Sequence, residues 1–237
     1  YVDPQRGSAA NDGSAERPWR TLAEVFNPAN KIFSTRLATR TKEGLSLQAI
    51  NPDGPVKPGD TILLMSGDHG DVRIMGLRNE KFLTVAAARG QTPVIRQMTV
   101  DGASRWVFRG VKFMGERRAG DKARAIAAVG TGSWLGDNDN IVFVGGSFST
   151  VDDATSWTPD DWISKPYDGG LISAARCLSV IGVRFHNLRN ALVLTGARSL
   201  VADNLFEAFG NDAIEVATGE AVIARNRIRD PRHTVAE

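Results

Sequence analysis

Near the C-terminal end of this chain, charged and amide side chains recur at nearly fixed intervals, and several are of kinds that do chemistry. Asp203 and Arg225 are separated by one such interval, with Arg184 and Arg227 at neighbouring positions of the same pattern. If like positions touch, the four form an outward strip. One reading is a solvent-exposed ion pair worth under about 1 kcal/mol. The other is a row of arginine forks for the carboxylates of a polyuronate chain. The run Asn211-Asp212-x-x-Glu215 makes a second set, with Glu237 following Glu215 at the same interval. Stacked carboxylates repel unless a cation, a proton or an arginine lies between them. With Asn211 and Asp212 alongside, such oxygen ligands suit Ca²⁺, although an ordinary polar turn has the same spacing. His233 lies beside this acidic column and Arg232, where an imidazole can serve as acid or base. His186 directly follows Phe185 and is expected at a turn.

A repeat is what would bring these residues together. Phe185, Phe206 and Ile228 fall on one column at nearly even steps. A short apolar run precedes each (Leu178, Val180 and Ile181; Leu200 and Val201; Val222 and Ile223), and a polar turn with a second alternating run follows. A period of about 22 residues with short strands marks a solenoid, in which no repeat buries its apolar face alone. The runs are too short, and too rich in Val, Ile and Phe, for amphipathic helices. The fold class is therefore read as all-β, a parallel β-helix. Stacked strands lie about 4.8 Å apart, so equal positions on consecutive coils are neighbours. With the Phe column inward, Val183, Asn204 and Asn226 also face inward, and Asn204 over Asn226 predicts an amide ladder. The second run aligns Asn190, Asn211 and His233, then Ala191, Asp212 and Thr234, then Leu194, Glu215 and Glu237.

Phe113 and Phe148 join the Phe column, but the steps from Phe113 to Phe148 and on to Phe185 each exceed one period by about 14 residues. Two insertions must leave the coils, around 115–139 and 149–169, and solenoid insertions map to loops on one face, often the binding face. They carry Arg117, Arg118, Lys122, Arg124 and Trp134, then Trp157, Asp160, Asp161, Trp162, Lys165 and Tyr167. Aromatic and basic side chains suit sugar stacking and carboxylate binding, and serve equally as cover.

At the N-terminal end, Asn11-Asp12-Gly13 signals a turn. Thr21 is a helix N-cap with Glu24 in the capping-box position, and the short helix would cover the open end of the solenoid. In residues 27–56, Lys31, Arg36, Arg40 and Lys42 could face an anionic ligand, but the segment reads rather as a solvated insertion. The expectation is one domain: a cap and insertion over 1–57, then coils over 58–237 that stop inside a strand. A solenoid needs an end cap, so the chain is expected to continue or to be completed by another chain. The start at Tyr1 looks like a processed mature end or a trimmed one.

A net charge of +2 gives no whole-molecule attraction for nucleic acid, so an anionic partner must be drawn by a local cluster. The single cysteine, Cys177, has no internal disulfide partner and reads as a small buried hydrophobe. No apolar run in the chain is long enough to signal a membrane-spanning helix.

The segments YVDPQRGSAANDGSAERPWRTLAEV, PGDTILLMSGDHG, FLTVAAARGQTPVIR and WVFRGVKF resemble the N-terminal half of right-handed parallel β-helix proteins of the pectate-lyase-like superfamily. The likeness covers most of the chain, including the repeats. It implies a secreted or periplasmic carbohydrate-active enzyme, above all a lyase cleaving a uronate-containing acidic polysaccharide by β-elimination. Asn211-Asp212-x-x-Glu215 is similar to an acidic calcium cluster of some of these enzymes, with Asn and Glu where those have Asp. The resemblance thus implies Ca²⁺ to neutralise the substrate carboxylate, held by Asn211, Asp212, Glu215 and Glu237, and a Lys or Arg as base. Arg225, Arg227 and His233 are the candidates for proton transfer, and Arg184, Asp203, Trp157 and Trp162 for substrate binding. The fold hosts other activities: a glycosidase using paired carboxylates such as Asp203 and Glu215, an epimerase, or a non-catalytic glycan-binding or tailspike-like module.

Overall fold

The computed structural model describes residues 1–130, 134–217 and 220–232. From Thr61 onward the chain visits three sheets in strict rotation, and each strand of that stretch pairs in parallel with its counterpart one round later. Sheet I takes strands Thr61–Leu64, Leu77–Ala87, Ser104–Arg109, Asp139–Val144, Ser179–Ile181, Ser199–Ala202 and Ala221–Ala224. Sheet II takes Gly67–Asp68, Pro93–Ile95, Lys112–Met114, Ser147–Ser149, Arg184–Leu188, Leu205–Phe209 and Arg227–Arg229. Sheet III takes Asp71–Met75, Gln97–Asp101, Ala125–Val129, Gly169–Ser173, Asn190–Leu194 and Ile214–Val216. The architecture is all-β with long parallel sheets, compatible with a solenoid. Among the described residues, no helix is long and apolar enough to cross a membrane.

The Phe column fixes the register of sheet II. Ile95, Phe113, Phe148, Phe185, Phe206 and Ile228 are successive partners across its strands. The four phenylalanine rings stack face to face, with centroids 4.5, 5.1 and 4.8 Å apart and planes within 8°. All four are buried, whereas Ile228, on the last described strand of the sheet, is 53 % exposed. Stacking at the strand spacing lets each ring bury its faces against its neighbours, which is why one residue type recurs there.

The corner between sheets I and II repeats as well. Gly110, Gly145, Gly182, Asp203 and Arg225 occupy it with φ between 53° and 67°, a left-handed turn that glycine adopts without penalty and Asp more readily than most. The expected amide ladder lies next to it. Asn226 Oδ1 accepts from the Asn204 amide side chain (2.9 Å) and backbone N–H (3.0 Å), and Asn204 Oδ1 accepts from the Val183 N–H (2.8 Å). Asn204 and Asn226 also donate to the carbonyls of Val180 and Val201. These bonds satisfy buried corner amides that would each cost about 1–3 kcal/mol if left unpaired.

Three expectations need correction. Glu215 lies opposite Val193, and Leu194 opposite Val216. Five steps separate Phe209 from Ile214, against four from Leu188 to Leu192, so the last turn holds one extra residue and shifts the run. Within the expected solvated insertion, residues 35–50 form a mostly exposed or half-exposed antiparallel hairpin, Thr35–Thr41 with Gly44–Ile50, docked on Leu77 and Arg78 at the edge of sheet I. The helix Leu22–Val25 is capped by Thr21, but the Glu24 carboxylate accepts from Arg20 Nε (2.9 Å) and does not close a capping box. Cys177 is half-buried and sits at φ 55°.

Candidate functional site

One residue beyond the Phe column, side chains face out of sheet II. Ser149, His186, Glu207 and Arg229 form that column in register. An open sheet face would leave them in water, yet His186 and Glu207 are only 6 % and 7 % exposed. The cover is the segment 150–168, whose short helix Pro159–Ser164 is started by a capping box between Thr158 and Asp161. Asn187 ties the segment down, its Nδ2 donating to the carbonyls of Val151 and Asp152, both at 3.1 Å. Lys112 Nζ, from an earlier strand of sheet II, donates to Asp152 Oδ1 (2.5 Å). At the other end Tyr167 and Arg96 converge on Asp121, with Tyr167 OH donating to Oδ2 (2.5 Å). Arg96 is also fixed by Asp71, with Nε 2.6 Å from Oδ1. Burial and the neighbouring Asp121 carboxylate push the Tyr167 phenol up to about 12, so it stays a donor.

Between the cover and the sheet lies a cleft of 220 Å³, lined by Asp152, Thr155, Trp162, Arg184, His186, Glu207 and Arg232 among others. It adjoins two more hollows. One of 650 Å³ shares Asp152 and carries Arg96, Arg117 and Arg118, and one of 280 Å³ shares Trp162 and Arg232. The three hollows follow the segment 150–168 over the outer face of sheet II, and their walls mix arginines with the carboxylates of Asp68, Glu116, Asp152, Asp153, Glu207 and Asp230.

Two opposed electrostatic environments meet there. Burial raises the cost of the Glu207 carboxylate, but Arg229 (Nε to Oε2, 2.8 Å) and Arg184 (Nε to Oε1, 2.6 Å) outweigh it and hold its pKa below the ordinary value. Burial first, then the Arg184 charge, press the His186 pKa down to about 4, so the ring is neutral near pH 7. Its ring nitrogens have no hydrogen-bond partner among the described residues. The neutral ring can accept a proton; its lowered pKa makes it a weaker base than a free imidazole, and a bound carboxylate that offsets the Arg184 charge would raise it.

The chain matches no family model, no curated protein and no solved structure.

The residues singled out in the sequence divide between this groove and other surfaces. Arg184 lines the cleft, and Arg227 shares its outward column through Leu205. Trp162 is buried against the cleft, and Trp157 packs edge-on against it with centroids 4.9 Å apart. Asp203 and Arg225 lie at the corner, joined by two bonds of 2.7 and 2.8 Å. Asn211 donates to Asn190 Oδ1 (2.7 Å) and to Asp212 Oδ2 (2.8 Å), while Glu215 faces solvent from sheet III. Asp203 and Glu215 thus stand on a corner and on a different sheet, and are not paired. His233 and Glu237 lie outside the described residues.

His186, Glu207, Arg229 and Asp152 carry the cleft and were not selected by sequence reasoning. His186 lies within the strand Arg184–Leu188 and not at a turn. Its signal was available: residues following an inward Phe must face outward, and on this column they read His, Glu and Arg.

Proposed function

We propose that the three sheets wind as a right-handed parallel β-helix and that the chain is a polysaccharide lyase acting on a uronate-containing polymer. Substrate would lie along the outer face of sheet II. The observation that carries this reading is a neutral, unpartnered imidazole, His186, in a cleft where Arg184 and Arg232 stand among the carboxylates of Asp152, Asp153, Glu207 and Asp230. In β-elimination the uronate carboxylate must be neutralised so that the proton α to it becomes acidic. Arg232 supplies positive charge in the cleft, Arg184 being engaged by Glu207. His186 takes the α proton, the electron pair forms a carbon–carbon double bond, and the bond to the glycosidic oxygen breaks. That oxygen takes a proton from solvent.

Ca²⁺ fits poorly with the residues first assigned to it. Among the described residues no three His, Cys, Asp or Glu side chains are grouped to hold a metal ion. The Asp212 carboxylate is engaged by Asn211, and Glu215 stands apart on its strand.

The test is incubation with pectate, alginate and glycosaminoglycans, with and without chelator, following both the absorbance of the unsaturated product and the release of reducing ends. Absorbance that survives chelator supports this reading. Reducing ends without absorbance would indicate hydrolysis, and binding without either would indicate a glycan-binding module.

A further inference from the structure

Beside the N-terminal cap the structure encloses a second kind of space. A cavity of 460 Å³ opens between the helix Leu22–Val25, the turn that follows it, the hairpin and the strand Asp71–Met75. Its walls are Phe26, Ile32, Phe33, Leu37, Ile50 and Leu77, with Met75 beside them. That size and lining are those of a small-molecule site: an apolar body with few polar groups.

The polar groups at its rim are nearly all in use. Asn27 Oδ1 accepts from the Ala29 N–H (3.1 Å), and Asn51 Nδ2 donates to the Phe33 carbonyl (3.1 Å). Asp71 is held by Arg96, so its charge is answered from the other side. What remains are two cations. The side chains of Lys31 and Arg73 have no hydrogen-bond or ion-pair partner among the described residues. Both are set by the backbone. Arg73 alternates with the buried Val72 and Ile74 and so faces outward with Met75. Lys31 occupies the left-handed C-cap of the 3₁₀ turn Pro28–Asn30, at φ 51°.

We propose that this cavity binds a small anionic amphiphile, a single carboxylate on an apolar chain or ring. The apolar part lies among Phe26, Phe33 and Leu37, and the carboxylate takes charge-assisted hydrogen bonds from Arg73 and Lys31. The proposal is independent of the lyase reading, since neither the apolar walls nor the two cations belong to the sheet II groove.

The experiment is calorimetric titration of the whole chain with octanoate and with octanol. Octanoate is expected to bind saturably at one site, about tenfold or more tighter than octanol. Arg73→Gln and Lys31→Gln each weaken octanoate by about tenfold and leave octanol unchanged. Met75→Trp, checked for unchanged melting, fills the space and abolishes both. Absence of saturable octanoate binding, equal affinity for acid and alcohol, or an unaltered Arg73→Gln variant would overturn the proposal. So would sedimentation showing a dimer that Met75→Trp disperses, which would assign the cavity to a second copy of the chain.

Discussion

Two acid–arginine clusters lie on neighbouring parts of the parallel-sheet framework and behave differently. At the corner, Asp203 and Arg225 form a two-bond pair with side chains 46 % and 69 % exposed. On sheet II, Glu207 is gripped by Arg184 and Arg229 with its own side chain only 8 % exposed. Bond geometry is similar in the two, so geometry does not set their worth. The cover formed by 150–168 does. It removes water from Glu207 and His186, which strengthens each interaction and raises the cost of leaving either partner alone. A charged column becomes a candidate site only where an insertion folds over it.

Perturbing the two clusters should separate them. The largest effect is expected from Glu207→Ala, which leaves two arginines facing each other under the cover. Unfolding by urea should show a loss of about 2–3 kcal/mol, less than for a fully buried pair because both arginines are half exposed. Removing the cover tests the same idea from the other side. Trp162→Ala should let water into the cleft and move the His186 pKa from about 4 back toward 6.5, read by NMR titration of the ring.

Acid should expose the difference in a third way. Because His186 is neutral in the fold with a pKa of about 4, the unfolded chain binds more protons between that value and 6.5. Stability should therefore fall as pH drops through this window, and His186→Asn should flatten that part of the melting-temperature curve. Glu207 acts lower. Its depressed pKa gives a contribution that is present above the ordinary carboxylate range and lost as pH falls through its folded value. The smallest effect belongs to the corner, where Asp203→Ala should cost under about 1 kcal/mol and less in high salt. A corner loss as large as that of Glu207→Ala would remove the contrast.

Much of the framework could be read from residue spacing. The Phe column, its nearly even steps and the Asn204–Asn226 ladder follow from periodicity, because identical residues are favoured where identical environments stack. The hairpin over 35–50 was hidden, since its Arg36 and Arg40 alternate with residues of mixed polarity and its two-residue turn, Lys42-Glu43, is not one of the Asn-Gly or Asp-Gly pairs that signal a hairpin. The slip at Glu215 was hidden too, because one added residue in a polar turn leaves no mark on an apolar pattern. For the site, the sequence pointed to the exposed corner pair, where acid and base are conspicuous. It did not point to His186, whose importance comes from a helix well upstream in the chain lying over it. That helix had its own signal in Thr158-Pro159-Asp160-Asp161, a capping residue with proline at the first helical position.

The most direct test of the central claim compares the wild-type chain with His186→Ala, shown by circular dichroism to be folded, on the uronate polymer that the wild type cleaves. Steady-state formation of the unsaturated product should fall by about a hundredfold or more when the base is removed. Product formation undiminished in the variant, or none by the wild type on any uronate polymer, would contradict the account.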